Sequence, residues 1–436
     1  MSDDETNMQK LKGFREFLPE ETRARRKLFE TMRDVAQRFG FRDIDTPSLE
    51  PMDLYLVKSG EELVEQTYSF EDKGGRNVTL TPEETPTRAR MIAEHKDLAK
   101  PVKWFSASKF WRYEAPQKGR LREFYQFNFD IIGEDSVWAD AEVLACAAEI
   151  LNELGLDDAA ELRINDRRLL DGILQSYGID ETDAILQIVD DKEKMERDEF
   201  REELQEEGLS EANARIVDEV TEQRGDFDEV LPQVENLVPD DEDSRQALER
   251  IKDLRDALAS YDVLDNCIID LSIIRGLAYY TGLVFEIFDT KGDLRALSGG
   301  GRYDDLIGMF GGEDTPAVGF APGDATIELL MRREGVWPEE RFDTDVYILN
   351  VSESVRQQAL ELAKDLRAEG LCVETDVAER NFGNQMDYAN AIDAAYLLIV
   401  GERDLENDEV TVKDMGSGDE EQVALDDVVA HVADLV

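Results

Sequence analysis

The chain begins with the apolar spacing of an amphipathic helix. Between Pro19 and Gly40, apolar side chains recur on one helical face. The positions on this face are Leu28, Met32, Val35, Ala36 and Phe39. This spacing predicts a helix with one buried face. Pro19 near the start and Gly40 just past the end are residues favoured at helix ends.

Aromatic residues dominate the strand-like stretches that come later. Residues 102–114 and 123–133 are rich in Phe, Tyr and Trp, and they flank the polar segment "APQKGR". This pattern predicts two strands joined in a long hairpin. A further helix is predicted over residues 137–155. The order predicts an α+β fold in which helices pack on an antiparallel sheet.

The pattern changes near residue 165, where the chain becomes polar and helical. Residues 196–211 carry many more acids than bases, and we interpret this charge run as a solvated face. Strands return from Asp265. From Asp345 strands alternate with helices, which predicts a small α/β domain with a mainly parallel sheet. The predicted segments are residues 1–164, 165–262, 263–335 and 343–436.

The charge balance is unusually acidic. The chain has 101 acidic and 49 basic residues and a formal net charge of -52. The acids are spread along the chain, and Arg outnumbers Lys. Such a surface is typical of proteins in concentrated salt, where the Debye length falls to about 3 Å at 1 M. We therefore expect a halophilic source. An acidic patch for a cationic partner is the alternative, but it would need clustering that occurs only in the middle segment.

Composition also excludes some classes of protein. No apolar run approaches the roughly 20 residues that a membrane span needs, and the first residues lack a secretory signal pattern. The three cysteines are far apart and the chain has only two histidines, so no zinc cluster is predicted. We expect a soluble, cytoplasmic protein that holds no metal through its own side chains.

Positive charge nevertheless gathers between Lys109 and Asp130, among aromatic residues. A guanidinium held on a rigid strand, as predicted for Arg112, suits bidentate binding of phosphate. Phe124 could stack on a purine, and Glu114 could accept from its exocyclic amine. The alternative is a half-buried hairpin with a surface ion pair.

Two neighbouring stretches add polar groups. Gln126, Asn128 and Asp130 alternate on the return strand and so share one face, which indicates either a lined pocket or an exposed sheet face. Glu83 and Thr85 follow a predicted strand end. A carboxylate there could bind an ammonium group, although acids are also common at a helix N-terminus.

The last candidate stretches follow apolar strands. Arg275 stands directly after such a strand, where a charged residue needs a partner such as a phosphate or carboxylate. The glycine-rich "SGGGRYDDLIGMFGG" lacks the phosphate-loop pattern. Its glycines instead predict close backbone approach, bordered by Tyr303.

These stretches, taken in order, resemble the histidyl-tRNA synthetase family of the class II aminoacyl-tRNA synthetases. "GFRDIDTPSLEP" resembles motif 1, which lies at the dimer interface of class II enzymes, and "FWRYEAPQKGRLREFYQ" resembles motif 2. "RGLAYYTG" and "GGGRYD" are similar to the two histidine-specific signatures, and the segment from "NFGNQMDYANAIDA" onward resembles the anticodon-binding domain. The resemblance implies a homodimer with a class II catalytic domain, a helical insertion and a C-terminal α/β anticodon-binding domain.

The resemblance also implies a reaction and its residues. The carboxylate of histidine attacks the α-phosphorus of ATP, and the tRNA for histidine then takes the histidyl group from the adenylate. Mg²⁺ would bridge the ATP phosphates. Arg112 and Arg275 would be catalytic, holding the α-phosphate and the histidine carboxylate, while Glu114 and Phe124 would bind adenine. The histidine-binding residues implied are Glu83, Thr85, Gln126, Asp130, Tyr279, Tyr280 and Tyr303.

The sequence departs from the family at two places. Thr326 stands where motif 3 carries an arginine that clamps adenine and the γ-phosphate. Thr81 and Glu84 stand where many relatives have Arg and Gly, with Arg88 or Arg90 as candidate substitutes. Two other hypotheses stay open: a non-catalytic relative that regulates histidine biosynthesis, and a class II synthetase for proline, threonine or glycine.

Overall fold

A computed structural model describes residues 9–56, 66–179, 182–192, 195–274, 279–338 and 344–436. Backbone contacts divide the chain into two compact units, Met1–Pro338 and Glu339–Val436. Within the described ranges, no helix combines the length and the apolar character needed to cross a membrane.

The first unit is built around a large, mostly antiparallel sheet. In chain order the strands of this unit are β1 (Arg42–Asp43), β2 (Leu49–Pro51), β3 (Tyr68–Glu71), β4 (Asn77–Leu80), β5 (Val102–Trp111), β6 (Glu123–Ile132), β7 (Ala160–Asp166), β8 (Arg224–Gly225), β9 (Cys267–Asp270), β10 (Leu283–Asp289), β11 (Ser298–Arg302) and β12 (Ala317–Phe320). Among the described residues the main sheet has nine strands, in the order β1-β5-β6-β12-β11-β10-β7-β9-β8. The pairs β1–β5 and β7–β9 are parallel, and the other neighbours are antiparallel. β2, β4 and β3 form a smaller sheet.

Helices cover this sheet. In chain order they are α1 (Pro19–Arg38), α2 (Asp53–Leu56), α3 (Thr85–Glu94), α4 (Val137–Glu153), α5 (Arg167–Ser176), α6 (Thr182–Asp190), α7 (Arg197–Glu206), α8 (Glu211–Thr221), α9 (Phe227–Leu237), α10 (Glu242–Ser260), α11 (Leu306–Met309) and α12 (Asp324–Glu334), with a 3₁₀ turn at Leu264–Asn266. The helices α5 to α10 occupy the polar middle of the chain, and α10 packs against α4 and α5. The predicted α+β architecture is confirmed.

The local predictions for α1 and the hairpin are confirmed. α1 begins at Pro19 and buries Leu28, Met32, Val35 and Ala36. β5 and β6 pair antiparallel from Val102↔Ile132 to Trp111↔Glu123. Both features arise from local pattern, because a helix needs one apolar face and a hairpin needs two strands close in sequence.

The two faces of the main sheet carry different cores. On one face, Phe105, Phe127 and Phe285 pack with apolar residues of α1 and α4. On the other face, Trp104 and Val284 pack with residues of α3 and with several tyrosines. Successive strand residues point to opposite faces, so the polar residues that alternate with the first set lie on the second face. The candidate site is on that face.

The second unit has one sheet with helices around it. Its strands are β13 (Val346–Asn350), β14 (Val373–Thr375), β15 (Tyr396–Val400), β16 (Glu409–Asp414) and β17 (Glu420–Ala424). Its helices are α13 (Arg356–Ala368), α14 (Phe382–Ala391), α15 (Glu402–Leu405) and α16 (Val428–Leu435), with a 3₁₀ turn at Glu353–Val355.

The strand directions of this second sheet correct one prediction. Among its described strands, in the order β14-β13-β15-β16-β17, the first two pairings are parallel and the last two are antiparallel. The predicted α/β class is confirmed, but the mainly parallel sheet is wrong, since the sheet is mixed. For the β16–β17 pair, the physical reason is the short turn between the two strands, where Gly418 has a φ of 81°. Strands joined by so tight a turn can pair only as an antiparallel hairpin.

Candidate active site

An acidic cluster lies on the second face of the sheet. It consists of three buried carboxylates, Asp130 of β6 and Glu83 and Glu84 directly before α3. The Asp130 side chain is buried, with 5% of its surface exposed. It accepts short hydrogen bonds from the Arg88 guanidinium and from the Tyr303 hydroxyl. Burial raises the pKa of Asp130, while Arg88 lowers it. A carboxylate in this setting is a strong acceptor for a further donor that enters the site.

Close backbone approach makes room for this cluster. A Cβ on Gly319, the residue of β12 opposite Asp130, would lie 2.0 Å from Asp130 Oδ1. A Cβ on Gly301 would lie 2.8 Å from Cδ1 of Tyr280. The glycine-rich stretch was predicted to serve close approach, and the position of Gly301 against Tyr280 confirms it.

Arg88 is an internal support of the site rather than a ligand-binding group. Only 1% of its surface is exposed. Nε lies 3.0 Å from Glu84 Oε2, and Nη2 lies 2.8 Å from Ser106 Oγ. Further bonds reach Asp130 and the backbone oxygens of Trp104 and Asn128.

These contacts correct the suggested substitutes for the missing family arginine. Buried acceptors take up the N–H groups of the Arg88 guanidinium, so none is left to bind a ligand. Arg90 is paired with Glu50 at 2.9 Å and with Glu94 at 3.2 Å. Neither residue supports the substitution that the sequence suggested.

Tyrosines join Asp130 to Glu83. The Tyr279 hydroxyl donates to Glu83 Oε2 at 3.1 Å. The ring centroid of Tyr279 lies 5.1 Å from that of Tyr280 and 6.2 Å from that of Tyr303. Burial, followed by the charge of Asp130, raises the pKa of Tyr303 well above its ordinary value, so its hydroxyl stays protonated. The structure therefore brings these five predicted residues into one buried group.

Thr85 and Gln126 lie at the margins of this group. Thr85 is the first residue of α3, two positions after Glu83. Gln126 Nε2 lies 3.5 Å from the carbonyl oxygen of Ala321, and its backbone bridges to Gly323. This contact places Gln126 beside the segment that enters α12.

Arg112 borders the acidic cluster at the end of β5. Its Nε donates to the carbonyl oxygen of Pro82 at 3.0 Å, directly before Glu83. Its guanidinium carbon lies 5.3 Å from the ring centroid of Phe124, a cation–π distance. No carboxylate pairs with Arg112 in the part of the chain that the structure describes. A half-buried arginine with unspent donors, in so acidic a protein, is a candidate site for an anion.

Glu114 is already engaged by the loop that follows it. Its carboxylate accepts from Arg120 through Nη2 at 2.8 Å and through a very short bond from Nε. Arg122 Nε donates to the Glu114 carbonyl oxygen at 2.9 Å. A carboxylate has about four lone-pair sites, so Glu114 can still accept from a base while Arg120 fixes its orientation.

The motif 3 position holds no cation. Thr326 Oγ1 bonds to the backbone oxygens of Leu297, at 3.4 Å, and Gly323, at 3.2 Å. Nearby, the buried Asp324 at the start of α12 accepts from Arg25 at 2.7 Å and Arg15 at 2.6 Å. Sequence reasoning missed this Asp324 contact, which no local pattern reveals because its partners are about three hundred residues away.

Arg275, the second predicted catalytic arginine, lies outside the described residues. For metals, no group of three or more His, Cys, Asp or Glu side chains within the described ranges could hold an ion.

The chain is similar to known proteins along nearly its whole length. The family model described as "Histidyl-tRNA synthetase" matches residues 13–323, and the model described as "Anticodon binding domain" matches residues 345–435. The curated histidine–tRNA ligase of Haloarcula marismortui is 50% identical over 419 residues, 95% of each chain. That of Thermoplasma volcanium is 44% identical over 426 residues, 97% of each chain.

Solved structures agree with this assignment. The histidyl-tRNA synthetase of Nostoc superposes with a TM-score of 0.83 at 28% identity, covering 99% of this chain and 100% of that one. A Bacillus halodurans structure described as an ATP phosphoribosyltransferase regulatory subunit/histidyl-tRNA synthetase has a TM-score of 0.76 at 25% identity, covering 91% of this chain and 99% of that one. On the strength of the family model and the full-length relatives, the chain belongs to the histidyl-tRNA synthetase family.

Proposed function

We propose that this chain is a histidine–tRNA ligase. It activates histidine with ATP to histidyl-adenylate and passes the histidyl group to the 3′-terminal adenosine of its tRNA. Ligases that align over 95% of the chain support this assignment. The observation that carries it is the placement of a buried acid and tyrosine cluster directly beside an arginine that no described carboxylate pairs.

The amino-acid half of the site is the acidic cluster. Glu83 would take the α-ammonium group, with Thr85 and Gln126 beside it. Asp130 would accept from an imidazole N–H, while Tyr280 and Tyr303 border the ring and Tyr279 holds Glu83. The donor from Arg88 orients Asp130 and leaves lone pairs for the substrate.

Selectivity for histidine follows from burial. A side chain without an N–H at this point cannot donate to the buried Asp130 carboxylate, so a charge-assisted hydrogen bond is lost. Sites that hydrogen-bond their substrate in this way reject analogues that lack the group far better than apolar pockets do.

The nucleotide half begins at Arg112. Its unspent donors would bind the α-phosphate, while Phe124 stacks on adenine and Glu114 accepts from the exocyclic amine. Arg275, which lies outside the described residues, remains our second proposed cation at the phosphate. The histidine carboxylate attacks the α-phosphorus and pyrophosphate leaves, so the protein contributes position and charge and no nucleophile.

Magnesium is expected to accompany ATP. Carboxylates near the nucleotide do not form a cluster within the described ranges, and Glu114 is paired with Arg120. We therefore assign Mg²⁺ to the phosphates of the bound nucleotide, where it neutralises charge, and name no protein ligand for it.

The second unit gives the partner. Because residues 345–435 match an anticodon-binding model, we assign to them the contact with the tRNA anticodon. The homodimer, through the motif 1 stretch around β1 and β2, and the cytoplasmic location are proposals from the family resemblance. The predicted segments 1–164, 165–262, 263–335 and 343–436 also remain proposals.

Histidine-dependent exchange of pyrophosphate into ATP tests this function. We expect exchange with histidine and none with proline, threonine or glycine at equal concentration. The regulatory alternative is not favoured, since named ligases match nearly the entire chain. A folded protein that binds histidine but supports no pyrophosphate exchange would instead favour the regulatory alternative.

A further inference from the structure

Position 326 raises the question of which cation faces the far phosphates of ATP. Thr326 lies in the first turn of α12, and its hydroxyl is turned to backbone oxygens. A threonine cannot neutralise a phosphate. If ATP binds as proposed above, this side of the nucleotide needs another positive group.

The loop between β10 and β11 holds one such group, Arg295. The backbone on either side of it is fixed. The Leu294 N–H donates to Asp289 Oδ1 at 2.9 Å, and the Leu297 N–H donates to the Ile287 oxygen at 2.8 Å. Gly323, just before α12, donates to the Leu297 oxygen at 3.1 Å. The Arg295 side chain therefore starts from a well-anchored segment that is tied to the motif 3 helix.

Arg295 and Thr326 meet the same point of the motif 2 hairpin. A Cβ built on Gly119 would lie 3.0 Å from the Thr326 methyl carbon Cγ2 and 3.8 Å from Cγ of Arg295. Thr326 and the aliphatic stem of Arg295 thus both lie against the hairpin at Gly119.

The electrostatic surroundings of Arg295 fit an anion. Burial against protein lowers the pKa of Arg295 most, and the nearby Arg120 and Arg112 lower it further, while Glu114 and Glu286 raise it. Arg295 as a whole nevertheless counts as an exposed residue, so these neighbours do not enclose it. Since Glu114 is already paired with Arg120, positive charge is left over here.

Arg295 also has unspent donors. It makes no hydrogen bond or ion pair with any residue in the described ranges. Acidic residues outnumber basic ones by 101 to 49 in this chain, so an unpaired arginine beside two others is unexpected unless an anion binds there.

We propose that Arg295 binds a terminal phosphate of ATP and replaces the motif 3 arginine that Thr326 lacks. This inference rests on the proposed function for the presence of ATP. The planar guanidinium can grip a phosphate through two parallel hydrogen bonds. The binding group has moved from α12 to the β10–β11 loop, while the point that it reaches has stayed the same.

Four variants test the proposal: R295A, R295K, T326R and R295A/T326R. R215A is the matched control, because Arg215 of α8 is 65% exposed and pairs only weakly, at 3.6 Å, with Glu219. For each folded variant, equilibrium dialysis gives the Kd of ATP and of histidine, and pyrophosphate exchange gives the KM of each substrate.

The expected pattern is specific to the phosphates. R295A raises the Kd and KM of ATP by about tenfold or more, which corresponds to about 1.4 kcal/mol, and leaves those of histidine and the binding of adenosine within about twofold. R295K keeps the positive charge but cannot donate two parallel hydrogen bonds, so its Kd for ATP should lie between those of wild type and R295A. R295A/T326R regains most of the lost affinity, and R215A behaves as wild type.

Other results overturn the proposal. ATP affinity unchanged in R295A excludes the role. An equal loss for adenosine assigns Arg295 to the base, and a loss confined to the tRNA transfer step assigns it to the tRNA end. If T326R does not fold, R295A and R295K still decide. If wild type binds ATP but shows no histidine-dependent exchange, the proposed function fails, while the ATP affinities still test Arg295.

Discussion

Replacing Arg88 by Met probes the support beneath the acidic cluster. Arg88 and its partners Glu84 and Asp130 are almost completely buried, with 1%, 1% and 5% of their surfaces exposed. The substitution keeps an apolar stem of similar length and removes the only charge that compensates these two carboxylates in the described structure. Two buried anions would then face each other without a cation.

The size of the effect follows from this arrangement. Removing one partner of a buried ion pair costs about 3–5 kcal/mol, because an unpaired charge stays in the interior. Two stranded carboxylates place R88M toward the upper end, about 4–5 kcal/mol. This is a large part of the roughly 5–15 kcal/mol of free energy that keeps a typical domain folded.

The pH dependence has a definite sign. Asp130 already has a raised pKa from burial, and loss of Arg88, which lowers that pKa, would raise it further. A carboxyl whose pKa is higher in the folded than in the unfolded state binds more protons when folded. Stability therefore falls as the pH rises from the unfolded-state pKa to the folded-state pKa. R88M should therefore recover stability at mildly acidic pH, and R88M/D130N should recover part of it at neutral pH.

Urea unfolding in molar KCl, followed by tryptophan fluorescence, measures these free energies. The control is R215M on the exposed face of α8, which should change the free energy of unfolding by less than about 0.5 kcal/mol. A loss in R88M below about 1 kcal/mol, or no recovery on acidification, would refute the view of Arg88 as the buried counter-ion of this cluster.

The remaining predictions concern other groups. D130N should lower kcat/KM for histidine by about 10- to 100-fold with little change for ATP, because the proposed charged acceptor for the imidazole is lost, at about 1.5–3 kcal/mol. Steady-state exchange measures these constants, and a matching rise in the KM of ATP would count against the proposal. Asp218 of α8 is buried beneath Arg197, Arg201 and Lys192; burial raises its pKa, but these three cations together lower it. A carboxyl whose pKa is lowered by folding stabilises the folded state at pH values above its ordinary pKa. D218N should therefore lower the free energy of unfolding at neutral pH. This difference from wild type should vanish as the pH falls through the lowered pKa of Asp218. Stability and activity should rise with salt toward molar KCl, since self-repulsion of a net charge of -52 is then screened; full stability in salt-free buffer contradicts this. Arg275→Ala should leave a folded protein with strongly reduced exchange, and exchange near the wild-type rate would contradict our proposed role for Arg275.

Local patterns predicted the elements whose stabilising contacts are near in sequence. α1 followed from its apolar face, and the β5–β6 hairpin followed from two aromatic strands around a polar turn. The placement of Gln126 and Asp130 on one sheet face followed from the two-residue period of a strand. Each of these features depends on residues within about thirty positions of one another.

The sequence pattern did not predict contacts between segments that are distant in the chain. The bonds of Arg88 join α3 to β5 and β6, and periodicity gives no sign that Ser106 and Asp130 meet it. Arg295 reaches Gly119 across more than 170 positions.

The residues that we propose for histidine binding were indicated by the family resemblance, and the structure shows which side chains contact them. Glu83 meets Tyr279, and Asp130 meets Tyr303, although the members of each pair are far apart in the chain. The departure at Thr326 was visible in the sequence, but the role that we propose for Arg295 was not, since nothing in "GDLRALS" indicates a nucleotide site.

Histidine-dependent exchange of pyrophosphate into ATP, compared between wild type and R112A in molar KCl, tests the central claim most directly. Arg112 is the arginine beside the acidic cluster, and R215A again controls for loss of one positive charge. We predict exchange in wild type and R215A, and a loss of about 100-fold or more in R112A, as expected when a donor to the reacting centre is removed. Exchange by R112A at the wild-type rate, with the protein folded and histidine still bound, would contradict the account.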